Sequence, residues 1–155
     1  MKICIVTVGK LSQSDYLALC NLYQGRIAHY LPIERMSVRD EKIKNRPERE
    51  IVGREAERIL ERIRPADYTV ALERTGEMIS SPGLAAFVQE RILQGVQRLV
   101  FMVGGPLGLG DKVLTRADYK LSLSKMTFPH ECTTALLMEQ LYRALTIMRG
   151  EKYHK

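Results

Sequence analysis

Four glycines gather where an apolar run ends. Leu99 to Val113 reads LVFMVGGPLGLGDKV, five apolar residues followed by Gly104, Gly105, Gly108 and Gly110. Glycine loops at strand ends commonly cradle phosphates through backbone N–H groups. The spacing here fits neither familiar phosphate-binding form. A P-loop places Lys and then Ser or Thr after its last glycine, and Asp111 follows Gly110. The dinucleotide pattern fails too, because Val113 stands where its third glycine belongs. Two readings remain open. Gly104-Gly105 makes a tight strand-to-helix turn that needs positive φ, or the missing side chains let the backbone approach a flat, mostly neutral ligand. Adenine and ribose suit the second reading, which needs no phosphate-binding lysine.

Other candidate chemistry is sparse. Cys4, Cys20 and Cys132 are far apart with no C-x-x-C, and read as free thiols rather than a redox pair. His29, His130 and His154 have no zinc-ligand spacing, so no metal site is expected. The chain has 155 residues, 45% hydrophobic and 27% charged, which fits one ordinary globular domain. No apolar run approaches the length of a membrane span. MKICIVTVGK reads as a strand entering a turn rather than a signal peptide, so a cytoplasmic protein is expected. The net charge of +6 permits a polyanionic partner without requiring one. Much of that charge is mixed, with ten Lys/Arg and eight Asp/Glu between Glu34 and Arg64, as on a solvated helix face.

Strands and helices alternate along the chain. Ile3–Val8 predicts a buried strand. Ser12-Gln13-Ser14-Asp15 offers N-cap residues for a helix with Leu17, Cys20, Tyr23 and Ile27 on its inner face. Ile33–Val38 is a weaker strand, and Arg39–Pro47 reads as a mobile loop. Pro47 starts a helix with Ile51, Val52, Ala56, Ile59 and Ile63 in one stripe, supported by Glu50 and Arg54 four residues apart. Tyr68–Leu72 is a third strand. Ser81 caps a helix with Pro82 at its first position, ending near Gly95. Leu99–Val103 is a fourth strand, a short helix starts at Asp111, and Lys120–Met126 holds a fifth strand. A long helix runs from Pro129 to about Arg149, with Gly150 at C′. This order predicts an α/β fold, a mainly parallel sheet flanked by helices. In such sheets ligands bind beyond the carboxyl ends of the strands, which places Leu72, Val103 and LSLSKMTF near a site.

The last helix has a narrow polar stripe of Glu139, Arg143 and Thr146, with apolar residues nearly everywhere else. So wide an arc fits a core helix sandwiched within one chain, or a helix with the sheet on one side and a second subunit on the other. The second reading is favoured, since a terminal helix in a small domain has few neighbours.

The motifs FMVGGPLGL, LSLSKMTFPH and EQLYRALTIMRGEKYHK together resemble the bacterial RlmH family. These are small SPOUT-class enzymes that methylate N3 of a pseudouridine in large-subunit (23S) ribosomal RNA. The similarity spans essentially the whole chain, 1–155, as one domain. One departure is Leu107, where the form GGPEGL has an acidic residue. The resemblance implies a C-terminal trefoil knot, an exception to the rule against knotted chains, and a homodimer. It also implies S-adenosylmethionine as cofactor, held by Leu72, Gly104 and the run Leu123, Ser124, Lys125, Met126, Thr127 and Phe128.

It further draws the C-terminal residues into the active site, in their own or the partner subunit. The N3 imide of pseudouridine is nucleophilic chiefly when deprotonated, so a base or an imidate-stabilising cation completes what positioning begins. His154 is the natural base, because imidazole ionises at about 6.5. Tyr153 would stack or hydrogen-bond on the base, Arg143 would orient the uracil carbonyls or the backbone, and Lys155 would meet an RNA phosphate. Two other readings stand beside this one: a SPOUT ribose 2′-O-methyltransferase, and a non-catalytic module binding adenine nucleotides or RNA. Lacking an added RNA-binding module, the domain is expected to prefer assembled ribosomes to naked RNA.

Overall fold

The structure, a computed structural model, describes residues 1–42 and 46–154. Strands β1 (Lys2–Val8), β2 (Ile33–Val38), β3 (Tyr68–Met78), β4 (Arg98–Val103) and β5 (Tyr119–Ser122) form one sheet in the order β2-β1-β4-β3-β5. Every pairing is parallel. Helices α1 (Ser14–Ala28), α3 (Ser81–Leu93) and α5 (His130–Met148) cover one face, and α2 (Glu48–Leu60) and α4 (Asp111–Arg116) the other.

Period-two alternation of side chains produces this arrangement. Ile3 and Ile5 of β1, with Leu99, Phe101 and Val103 of β4, pack toward α1, α3 and α5. Cys4, Val6 and Val8, with Val100 and Met102, pack toward α2 and α4. Strands covered on both faces are apolar throughout, which is why β1 and β4 read as unbroken hydrophobic runs.

Several boundaries differ from expectation. Leu17 is exposed, and Tyr16 takes its place beside Cys20, Tyr23 and Ile27 against the core. The cap of α3 is Ser80, whose hydroxyl accepts the Gly83 N–H at 3.1 Å. Ser81 instead donates to Gln140 on α5 at 2.7 Å. Strand β3 continues six residues past Leu72, because the chain bulges out over Glu73–Gly76 and then pairs again. Leu72 and Glu77 both face Leu121 across this irregularity. The helix starting at Asp111 and the pair Glu50–Arg54, at 2.8 Å, form as expected. Gly150 ends α5 with φ of 69°. The described part of Arg39–Pro47 has no helix or strand, and residues 43–45 lie outside the described residues.

The apolar arc of α5 is filled mostly from within the chain. Leu137, Met138, Leu141, Ala144 and Leu145 are buried among α1, α3 and the sheet, and only Leu136 among its leucines is exposed. Thr146, expected on the polar stripe, is also buried, its hydroxyl donating to the Arg143 carbonyl at 2.8 Å.

Candidate active site

Three chain segments converge beyond the carboxyl ends of β4 and β5 and over the middle of β3. They are Leu72–Arg74 where the β3 bulge begins, the glycine turn after Val103, and the connection from β5 into α5. Between them lies a cleft of about 670 Å³. Ser122 fixes two of the three walls, because its hydroxyl lies 3.1 Å from the Arg74 carbonyl and 3.0 Å from that of Ser124. Ser124 then accepts the Met126 N–H at 3.0 Å, shaping the turn in between.

The expected cofactor residues Leu72, Gly104, Leu123, Ser124, Met126, Thr127 and Phe128 all line this cleft. Lys125 does not; it is exposed beside them. Arg74, His130 and Thr133 join the wall, although no single-residue signal in the sequence marks them. Met126 and Phe128 are large apolar side chains left 73% and 38% exposed at the rim. Such groups are most economical when a ligand covers them.

Gly104 lines the cleft, but neither positive φ nor an opening toward a ligand accounts for its missing side chain. Its φ is not positive; among these glycines only Gly108 has that conformation, at 81°. A Cβ on Gly104 would stand 2.5 Å from the Gly108 carbonyl carbon and 2.9 Å from the Leu109 nitrogen. The missing side chain therefore lets the turn close on itself, with the Gly108 N–H donating to the Gly105 carbonyl at 2.9 Å.

Arg143, Tyr153 and His154 are brought together, but elsewhere. The Glu139 carboxylate accepts from Arg143 Nε at 3.0 Å and Nη2 at 2.5 Å, and from the Tyr153 hydroxyl at 3.1 Å. The Arg143 guanidinium stacks 4.7 Å from the Tyr153 ring centre. Arg143 Nη1 lies 3.4 Å from His154 Nδ1. Glu139 raises the Arg143 pKa further above its ordinary value. Hydrogen bonding to Tyr23, burial and Glu139 push the Tyr153 phenol well up, so it stays protonated and acts as a donor, not a base. This cluster lies ten residues along α5 from Thr133 of the cleft, roughly 15 Å at helical rise. Lys155 lies outside the described residues.

Among the described residues, no group of three or more His, Cys, Asp or Glu could hold a metal ion. No described helix is long and apolar enough to cross a membrane. The lining suits S-adenosylmethionine: Leu72, Leu121, Leu123, Met126 and Phe128 offer apolar walls for its adenosine and methionine parts, Gly104, Gly105 and Gly108 present no side chain, and no lysine is among the lining residues. Residues 1–154 match the family described as Predicted SPOUT methyltransferase. Its members take their methyl group from S-adenosylmethionine, and with the parallel sheet and the cleft at its strand ends, this chain belongs to the SPOUT methyltransferase family.

Proposed function

We propose that this methyltransferase acts on N3 of a pseudouridine in large-subunit ribosomal RNA, as a homodimer working on assembled ribosomes. The observation that carries the reading is the cluster of Arg143 and Tyr153 on the Glu139 carboxylate, with His154 against Arg143. It combines a fixed cation, a protonated phenol and an imidazole, the groups an imide needs to lose a proton and have its negative charge stabilised.

S-adenosylmethionine, when bound, supplies a methyl group activated by a sulfonium. The chain does the rest. Leu72, Leu123, Met126 and Phe128 exclude water from the donor site, and the turn from Gly104 to Leu109 gives it a rigid backbone edge. Arg143 is held by Glu139 through two N–H groups and so stays aimed while charge develops on the uracil oxygens. Tyr153 donates from its hydroxyl. His154 accepts the imide proton once it leaves Arg143, because in the contact seen here Nδ1 faces a cation and its lone pair is occupied.

The distance between cleft and cluster supports a composite site, in which the tail of one subunit serves the cleft of its partner. Exposed Leu17, Leu19 and Leu22 on α1, with Leu136 on α5, supply apolar surface for such a dimer. The expected trefoil knot is part of the same reading. It is supported by β4 lying between β1 and β3 and by α5 returning across the sheet after the edge strand β5.

The test supplies labelled cofactor to naked ribosomal RNA, separate large subunits and complete ribosomes, then digests the product to nucleosides. The expected product is 3-methylpseudouridine, formed fastest on assembled particles. A ribose-methylated nucleoside would assign the 2′-O reaction instead, and efficient transfer to naked RNA would overturn the substrate state.

A further inference from the structure

A second crevice, of about 730 Å³, opens beside the donor cleft over the carboxyl ends of β1 and β2. Topology explains why it exists. From the adjacent strands β1 and β4 the chain departs in opposite directions, toward β2 through α1 and toward β5 through α4, on opposite faces of the sheet. Parallel sheets open a ligand crevice where neighbouring strands part in this way.

The two cavities share a wall. Pro106, at the exit of β4, and His130, at the start of α5, line both. The His130 ring packs on Gly9, where a Cβ would be 3.4 Å from Nε2, and that nitrogen is sealed from water with no hydrogen-bond partner. His130 is thus fixed by its packing on Gly9 at the junction of the two clefts. Lys10 and Arg39 stand exposed on the rim, with Asp40 beside them. Glu131 also borders the crevice, but its carboxylate is turned to Ser12 and Gln13.

We infer that this crevice seats the RNA strand at the target nucleotide, with Lys10 and Arg39 on its phosphates and the His130 ring packing against the nucleotide as the wall shared with the methyl donor. This rests on the reading of RNA as substrate. It places the acceptor next to the donor, across the wall that Pro106 and His130 form for both cavities.

The experiment compares wild type with Lys10→Ala/Arg39→Ala, with His130→Ala, and with a charge-matched control on exposed residues near α2, Arg49→Ala/Arg62→Ala. Complete ribosomes serve as probe, followed by methyl transfer and by co-sedimentation across a salt series, while cofactor affinity and molecular mass are measured separately. The Lys10/Arg39 variant is expected to raise the KM for ribosomes at least tenfold and to flatten the dependence of log affinity on log salt by about 1 to 2, the value for two lost phosphate contacts. Its cofactor affinity and mass should match wild type, and the control should leave the KM unchanged. His130→Ala should raise the KM without changing the salt slope. An unchanged KM and slope in the Lys10/Arg39 variant would overturn the assignment. So would dissociation into monomers, which would give the crevice to a second copy of the chain. If wild type transfers no methyl to ribosomes, the ribosomal reading fails, and co-sedimentation still decides: equal binding of wild type and variant would overturn the crevice as an RNA site, and weaker binding by the variant would sustain it.

Discussion

A side chain at Gly104 has no room. The turn folds back so closely that a Cβ would overlap the Gly108 carbonyl and the Leu109 nitrogen. Backbone on both sides cannot swing away as a flexible side chain can. Gly104→Val should therefore cost about 3 kcal/mol, the upper end for overpacking, and cofactor affinity should be lost along with the turn. Chemical denaturation and calorimetry check this together; wild-type stability with lost cofactor binding would return the glycine to the role of a ligand-facing gap. At this scale most of the lining of the cleft at the strand ends was legible. Leu72, Leu123, Met126 and Phe128 lie at the ends of strand-like runs, where a parallel sheet gathers its ligands. Lys125 entered the expected set only through the family resemblance, with its neighbours from Leu123 to Phe128, and it stands exposed outside the lining. Arg74 and His130 were missed because each reaches the cleft through tertiary approach alone.

The first turn of α5 anchors the residues that lead into α1. Glu131 accepts the Ser12 N–H at 3.1 Å, the Ser12 hydroxyl at 2.9 Å and the Gln13 N–H at 3.0 Å. Serine 12 and its neighbours were expected to cap α1 with their own side chains, but Gln13 is the N-cap and makes no side-chain cap bond. The cap comes from a residue over a hundred positions away, a pairing no local pattern encodes. Burial works against the charge on Glu131, yet the donors from Gln13 and Ser12 outweigh it and hold the carboxyl below its ordinary 4.5. Glu131→Ala should lose about 2 kcal/mol, as for a hydrogen-bonded charged group. The sign of the pH dependence follows from the depressed pKa. Stability from Glu131 is fully present above pH 4.5 and drains away as pH falls through the lower folded-state value. The gap between wild type and variant in urea denaturation should thus narrow below pH 4.5. A gap that widens there would contradict the anchor. The β3 bulge was hidden in the same way: ERTG reads as a loop, and only pairing with β5 brings the strand back after it.

A homodimer with exchanged tails makes a sharper claim than either half alone. Mixed dimers should be made from chains carrying His154→Ala and chains carrying Thr127→Trp, which fills the donor cleft from its exposed rim. If each tail serves its partner's cleft, one of the two sites pairs an intact tail with an intact cleft, and about half of wild-type activity per dimer should return. If tails serve their own clefts, every site carries a defect and the mixture stays inactive. The alternation of strands and helices was readable from periodicity, because each element must bury its own stripe. The order β2-β1-β4-β3-β5 was not, since it depends on contacts between segments remote in sequence. That order also governs how the chain is born. The strand that joins the two halves of the sheet is β4, and it leaves the ribosome only after β1, β2 and β3. Until then β1 and β3 have no common neighbour, and the apolar edges of Ile3, Ile5 and Val70 stay open to water and to other nascent chains. Parallel pairing over such long separations is slow. The protein spends its most aggregation-prone moments beside the particle it is proposed to modify.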